Sequence, residues 1–152
     1  MIEILPSFER KFGYLLAQTY RQVSMELSAR IRPYDITREQ WAVLSRLIDE
    51  NGITQVELAE RCDKDQPTVT RIIQHLVRKG FIQRMQSARD KRAYEIRLTA
   101  AGEALIEQLI PIEQAFIAEL MAGFSSAEEE RLVQDMLHVQ RNVRSTDQQN
   151  RA

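Results

Sequence analysis

The sequence predicts a mainly α-helical fold with one small β-hairpin, and three observations lead to that prediction. Apolar residues recur at three- and four-residue steps over most of the 152 residues, which is the spacing of amphipathic helices. Capping residues, glycines and prolines divide these stretches into separate helices. Near the middle, residues 81–86 and 93–98 are short extended segments, and the charged segment 87–92 between them forms the hairpin tip.

The first two helices are bounded by clear start and stop signals. Residues 8–31 carry the apolar residues of the first helix, and Pro33 ends it because proline cannot continue the backbone ladder. Thr37, followed three residues later by Gln40, is a capping-box pattern that opens the second helix. Gly52 follows the last apolar positions of this helix and stops it.

A short helix and a longer basic helix are predicted next. Thr54 and Glu57 form a second capping box, and Asp65 is a good N-cap for the longer helix, which Gly80 closes. The apolar positions of this longer helix are Val69, Ile72, Ile73, Leu76 and Val77. At 100° per residue, the positions opposite this stripe are Pro67, Arg71, Gln74, His75 and Arg78. The outward face as a whole is polar and cationic.

The last third of the chain is helical. Thr99 caps a long apolar helix that Pro111 is expected to bend, and Gly123 interrupts the pattern. Serines and glutamates in residues 125–129 start the final helix. After Ser145 the sequence is polar, and we expect the helix to fray there.

A short helix, a turn, a basic helix and a charged hairpin, in that order, make the layout of a winged helix-turn-helix. Residues 61–100 contain ten Lys or Arg against four Asp or Glu, a net charge of +6, although the whole chain has a net charge of −1. A basic region of this kind indicates that the partner is double-stranded DNA. The alternative is that these charges only solvate a helix face.

The helix N-terminus places its first outward side chains against base edges, where Gln, Arg and the Thr methyl group each have a partner. Other cations are expected to meet phosphates and fix the register. In the wing, Arg92 fits the narrow minor groove and Asp90 could hold it in place. The residues predicted to contact DNA are Lys64, Gln66, Pro67, Thr68, Thr70, Arg71, Gln74, Arg84, Arg89, Lys91 and Arg92.

The helices at both ends carry more apolar surface than a single chain can cover, which usually marks a subunit interface. The sequence therefore predicts a helical dimerisation region formed by residues 1–34 and 99–152. Residues 35–98 form the winged-helix region between them. A two-fold homodimer would present two identical DNA-binding heads.

Several other function classes are not supported. No arrangement of catalytic residues and no glycine loop for phosphate points to an enzyme, and the sequence indicates no cofactor. His75 and His138 lack companion ligands, so no metal site is predicted. No stretch qualifies as a membrane span or a signal peptide, and the single Cys62 fits a reducing compartment. We therefore expect a cytoplasmic protein. The alternative function is a winged-helix module that binds protein rather than DNA.

Several segments of the chain together have the residue order of one known protein family. Residues 66–84 read QPTVTRIIQHLVRKGFIQR, and residues 89–102 read RDKRAYEIRLTAAG. Upstream, residues 36–44 read ITREQWAVL, and the helix with Pro111 follows downstream. Through these segments the chain resembles the MarR family of bacterial transcription regulators. The resemblance implies a triangular homodimer with recognition helices in successive major grooves and a wing arginine in the minor groove. By motif position, that arginine is Arg92, supported by Asp90.

The resemblance also implies a small aromatic or phenolic effector that releases DNA. Tyr20, Met25 and Trp41 are the candidates to line its cleft between the two regions, although aromatics at helical spacing are usually core residues. Relatives that sense oxidants carry their reactive cysteine in the first helix, where this chain has none. Cys62 is therefore expected to be structural or incidental.

Overall fold

A computed structural model of the chain describes residues 7–62, 64–88 and 90–150, and their side chains within residues 11–144. Its elements follow in the order α1 (Ser7–Ile31), a 3-10 turn (Arg32–Tyr34), α2 (Arg38–Asp49), β1 (Ile53–Thr54), α3 (Gln55–Arg61), α4 (Gln66–Arg78), β2 (Ile82–Gln86), β3 (Tyr94–Leu98), α5 (Ala100–Leu120) and α6 (Ser126–Asn150). Within the described ranges, no helix combines the length and the apolar character that a membrane crossing requires.

The predicted mainly α fold with a β wing is confirmed, and so are the predicted capping signals. In α2, the hydroxyl of Thr37 accepts from the backbone N–H of Gln40, whose side chain accepts from the N–H of Thr37. Thr54 and Glu57 form the same reciprocal pair at the start of α3. These bonds satisfy N–H groups that a helix N-terminus leaves without a backbone partner.

The sheet has three antiparallel strands in the order β1-β3-β2, one strand more than the predicted hairpin. The additional strand β1 is two residues long, and Ile53 pairs with Ile96 of β3. On the other side of β3, the hairpin pairs Ile82 with Leu98. Ile53, Ile82 and Ile96 are all buried, so the sheet is fixed to the core beneath it.

One core joins the winged-helix elements of residues 36–98 to the end of α1 and the first half of α5. All of this core lies in the first of two compact units, residues 1–113. The largest fully buried side chains of this core are aliphatic, namely Ile31, Leu44, Leu47, Ile53, Leu58, Ile73, Leu76, Ile82, Ile96 and Leu109. Their burial fixes the position of α4 relative to the wing.

A close junction connects the end of α4 to the start of α5. Thr99 donates its hydroxyl to the carbonyl of Gly80 and its backbone N–H to the carbonyl of Phe81 at 3.1 Å. The same hydroxyl accepts from the N–H of Gly102 at 3.1 Å and so caps α5, as predicted. Helix α5 continues through Pro111 to Leu120, and the bend expected at Pro111 stays a prediction.

The second compact unit, residues 114–152, contains the end of α5 and helix α6. Gly123 has a φ of +90° in the connection, which favours glycine. Ser125 and Glu128 form the predicted capping pair at the start of α6. The backbone is helical to Asn150, and the fraying expected after Ser145 stays a prediction.

Candidate nucleic-acid interface

Helix α4 starts at a strong cap. One carboxylate oxygen of Asp65 accepts from the backbone N–H of Thr68 at 2.8 Å, and the other accepts from the Thr68 hydroxyl at 2.8 Å. These two bonds stabilise the charged carboxylate, so they hold the pKa of Asp65 below its ordinary value. Pro67 lies in the first turn, where its missing N–H costs nothing. The start of the predicted recognition helix is therefore fixed by local bonds.

The outward face of α4 is polar and cationic, as predicted. Four of the five predicted apolar positions are buried, but Val77 is 38% exposed and so lies at the edge of the stripe. Burial of the others leaves a set of exposed positions, namely Gln66, Pro67, Arg71, Gln74, His75, Val77 and Arg78. The guanidinium of Arg78 lies 2.9 Å from Nδ1 of His75, so the histidine belongs to this surface.

Thr68 and Thr70 flank this face, and both hydroxyl protons are already used. Thr68 donates to Asp65, and Thr70 donates to the backbone carbonyl of Gln66 at 2.8 Å. A threonine hydroxyl has one proton to donate and can accept through its lone pairs. What remains of each side chain for a base is therefore an acceptor oxygen and a methyl group.

Thr70 and Arg84, two of the predicted contact residues, are brought together by a residue that the sequence analysis did not select. The side-chain amide of Gln55 donates to the hydroxyl of Thr70 at 2.5 Å and accepts from the guanidinium of Arg84 at 3.3 Å. This bridge joins the N-terminus of α3 to both α4 and strand β2. Gln55 lies 15 residues from Thr70 and 29 from Arg84, so no local sequence pattern reveals it.

Hydrogen bonds connect the described residues on the two sides of the wing tip. Ser87 is buried, donates its hydroxyl to Glu95 at 2.7 Å, and donates its backbone N–H to the carbonyl of Ala93 at 2.9 Å. The side chain of Gln86 donates to the carbonyl of Lys91 at 2.6 Å. Residues 90–93 therefore have a defined backbone, and the exposed side chain of Lys91 extends from it.

Arg92 extends from this turn almost fully into solvent, with its side chain 97% exposed. Asp90 accepts from the backbone N–H of Arg92 at 2.9 Å, and the same oxygen lies 4.0 Å from Nε of Arg92. The carboxylate of Asp90 thus holds the backbone of Arg92 more closely than it holds the guanidinium of Arg92. Arg89, also predicted to contact DNA, lies outside the described residues.

Two lysines near the ends of α4 differ in their surroundings. Lys64 is half-buried in the turn before the helix, and its backbone N–H donates to the carbonyl of Ala59 at 3.2 Å. Lys79, at the end of the helix, forms an ion pair with Asp35 at 2.9 Å. No local sequence pattern predicts this pair, which joins the end of α4 to the turn after α1.

Tyr20 and Met25, two of the predicted effector residues, line one open depression of about 470 Å³ on α1. The other lining residues are Arg21, Ser24, Ser28, Ala29 and Arg32. Trp41 does not line the depression. It is a core residue, only 3% exposed, and its indole Nε1 has no hydrogen-bond partner among the described residues.

The depression is connected to the start of α2 through Tyr20. Arg38, in the first turn of α2, donates to the Tyr20 hydroxyl at 2.8 Å, and its guanidinium carbon lies 5.3 Å from the centre of the Tyr20 ring. Arg38 also pairs with Glu39 at 3.0 Å. The backbone N–H of Glu39 is the main cause that holds the pKa of this carboxyl below its ordinary value.

Cys62 is half-buried, and its thiol lies 3.7 Å from the backbone carbonyl of Ala42. Burial raises the pKa of Cys62, and the nearby charges of Arg46 and Lys64 act in the opposite direction. Among the described residues, no group of histidines, cysteines or carboxylates is arranged to hold a metal ion.

Comparison with known proteins gives a consistent result. The model of the MarR family matches residues 36–94. The apo structure of Escherichia coli MarR is 30% identical, with a TM-score of 0.70, over 90% of this chain and 98% of that one. A cysteine-to-serine variant of E. coli MarR complexed with operator DNA is 28% identical, with a TM-score of 0.79, over 89% of this chain and 99% of that one.

A third structure shows the same fold at lower identity. It belongs to BpsR of Bordetella bronchiseptica, whose DNA binding is regulated by 6-hydroxynicotinic acid. This structure is 24% identical, with a TM-score of 0.76, over 86% of this chain and 98% of that one.

Proposed function

Because this chain belongs to the MarR family of transcription regulators, we propose that it is a repressor that binds a pseudo-palindromic operator as a homodimer. One observation carries the proposal. Helix α4 begins at the fixed cap of Asp65 and presents an exposed polar and cationic face, and an exposed Arg92 follows in the wing. A helix N-terminus and an arginine hairpin are the two parts with which winged helices read DNA.

The proposed contacts fall into three groups. Side chains of the first turns of α4 face base edges in the major groove, and Lys64 and Arg84 neutralise phosphates. Arg92 enters the minor groove with Asp90 as its support, and the exposed Lys91 precedes it at the tip. Arg89 is proposed as a further contact from its place in the sequence alone. The base-facing group is Gln66, Pro67, Thr68, Thr70, Arg71 and Gln74.

Exposed apolar side chains support the proposed homodimer. Several such side chains lie on α1, including Phe12, Leu15 and Leu16, each more than 40% exposed. Helix α6 carries a second set, namely Leu132, Val133, Met136, Leu137 and Val143. Apolar faces of this kind usually mark an interface, and a two-fold pair would place half-sites about one helical turn, roughly 10 bp, apart. The protein would act in the cytoplasm, where prokaryotic DNA lies.

We further propose that a small aromatic or phenolic ligand releases the DNA. The depression at Tyr20 and Met25 is the proposed site, and the regulation of BpsR by 6-hydroxynicotinic acid is a parallel from a protein of the same fold. Arg38 bonds to Tyr20 from the start of α2, so a ligand that moves Tyr20 would also disturb the winged-helix region. Such a ligand shifts the equilibrium between the DNA-binding state and the released state only as far as its affinities for these two states differ.

Selection of bound fragments from the genome of the source organism tests the DNA-binding part of the proposal. The purified chain should enrich a pseudo-palindromic site, and its affinity should fall steeply with salt, by a slope of about −0.9 per phosphate contact in log–log form. A pool with no enriched sequence, together with a weak salt dependence, would instead support the protein-binding alternative.

Two further measurements test the finer parts. Sedimentation of the free protein and of the complex should show a dimer in both cases, and lone subunits bound tightly to the selected site would contradict the homodimer. Transcription in vitro from a promoter that overlaps the selected site should decrease when the protein is added. An increase in transcript would contradict the repressor assignment.

A further inference from the structure

Gln55 lies where three elements of the winged-helix region meet. It is the first residue of α3, and its side chain contacts Thr70 in the second turn of α4 and Arg84 in β2. One half-buried amide therefore connects the recognition helix with the strand that leads into the wing.

The hydrogen-bonding chemistry fixes which way this amide points. A guanidinium group has only donors, so Arg84 requires an acceptor from Gln55. The Thr70 hydroxyl donates its single proton to the carbonyl of Gln66, so it requires a donor from Gln55. An amide supplies one acceptor and one donor at opposite sides. A carboxylate at this position would lack the donor, and an ammonium would lack the acceptor.

From this arrangement we propose that Gln55 is a positioning residue for DNA recognition, anchored on Thr70 and acting through Arg84. It holds the guanidinium of Arg84 at a fixed place relative to α4, so the arginine meets its phosphate in register with the base contacts. The inference rests on the proposed function, because it assigns Arg84 to a phosphate.

The physical advantage of the bridge is preorganisation. A long arginine side chain on an exposed strand has many rotamers, and DNA binding would have to select one of them. The bond to Gln55 already restricts that freedom in the free protein. The bond leaves other guanidinium N–H groups available for a phosphate. An arginine carries five such donors, and Gln55 accepts from one of them.

The test is a double-mutant cycle on binding to a genome fragment selected by the wild-type protein. Arg84→Ala should reduce the salt slope by about 0.9, the share of one phosphate contact. Gln55→Ala should weaken binding about fivefold, through loss of part of the Arg84 contact, and each tenfold change corresponds to about 1.4 kcal/mol. The double variant should bind no more weakly than Arg84→Ala alone, because the two residues act through one contact.

Gln55→Glu separates positioning from stability. A carboxylate keeps the acceptor for Arg84 and adds an ion pair that neutralises it, so the melting temperature should be at or above that of Gln55→Ala. DNA affinity and the salt slope should nevertheless fall at least as far as in Gln55→Ala. If Gln55 had a merely structural role, the DNA affinities of Gln55→Ala and Gln55→Glu would follow the order of their melting temperatures.

Gln83→Ala is the matched control, since it removes an exposed glutamine from the same strand as Arg84. It should leave affinity and salt slope unchanged. Additive losses in the cycle, or wild-type affinity in Gln55→Ala, would overturn the inference while the proposed function stands. Failure of the wild-type protein to enrich any fragment would overturn the proposed function, and the inference with it.

Discussion

Gly102, in the first turn of α5, lies so close to the backbone of Phe81 that a Cβ atom on residue 102 would be 2.0 Å from the Phe81 carbonyl oxygen. That oxygen also accepts the N–H of Thr99. Since the obstacle is backbone, no side-chain rotation can relieve it. The contact joins the start of α5 to the segment between α4 and β2.

Gly102→Ala is therefore expected to destabilise the protein by about 1–3 kcal/mol, the usual cost of overpacking. Urea denaturation gives this difference. DNA affinity should also decrease, because Phe81 directly precedes β2, which carries Arg84. Glu103→Ala, an exposed neighbour on the same helix, should stay within about 0.5 kcal/mol of wild type. Equal stability of Gly102→Ala and wild type would contradict the close packing.

Arg92→Ala is expected to weaken DNA binding by at least about tenfold, because the almost fully exposed guanidinium is the proposed minor-groove group of the wing. The melting temperature and the sedimentation of the free protein should not change, since Arg92 packs against nothing in the core. Fluorescence anisotropy with the selected fragment measures the effect.

The control for this variant is Arg131→Ala, which removes another exposed arginine, on α6, whose guanidinium pairs with Asp135 at 3.1 Å. It lowers the net charge by the same amount, so any loss that both variants share reflects overall charge. If Arg92→Ala bound no more weakly than Arg131→Ala, the wing assignment would be wrong.

The helices of the fold could be predicted because their signals are local. The capping pairs at Thr37 and Thr54 each involve residues three positions apart, and the Asp65 cap reaches only to Thr68. Strand β1 was missed because a two-residue strand has no period of its own. It exists only through the pairing of Ile53 with Ile96, which lies far along the chain.

The same distinction applies to the candidate site. The polar face of α4 follows from the helical period, so the exposure of Pro67, Arg71 and Gln74 could be predicted. The Gln55 bridge and the ion pair of Lys79 with Asp35 depend on contacts between elements that are distant in sequence. No local residue pattern near Lys79 or Gln55 predicts these partners. The contacts can be identified only once the fold is known.

Cys62 is expected to react slowly with thiol reagents at neutral pH. Burial raises the pKa of its thiol, and only the thiolate is a strong nucleophile. Iodoacetamide should therefore modify Cys62 more slowly than free cysteine, as followed by mass spectrometry, with faster reaction as the pH rises. Hydrogen peroxide should leave DNA affinity unchanged, as should Cys62→Ser. Release of DNA by peroxide in wild type but not in Cys62→Ser would contradict a structural role.

The cap of α4 predicts a pH dependence of stability. Bonds from the backbone and hydroxyl of Thr68 lower the pKa of Asp65 below its ordinary value of 3.8 in the folded state. A lowered folded pKa stabilises the fold fully above that ordinary value, and this stabilisation is lost as the pH falls through the folded pKa. Asp65→Asn keeps a capping oxygen but cannot ionise. The stability difference between wild type and this variant should therefore decrease towards low pH.

Urea unfolding at about pH 6 and about pH 3 measures this difference. Wild type should be more stable than Asp65→Asn at the higher pH. The advantage should shrink at the lower pH, which lies below the ordinary pKa of 3.8, because unfolding then lets Asp65 take up a proton. Asp65→Ala removes the cap altogether, so it should be less stable than Asp65→Asn at both values. An advantage of wild type that is the same at both pH values would show that the charge of Asp65 contributes nothing to the start of α4.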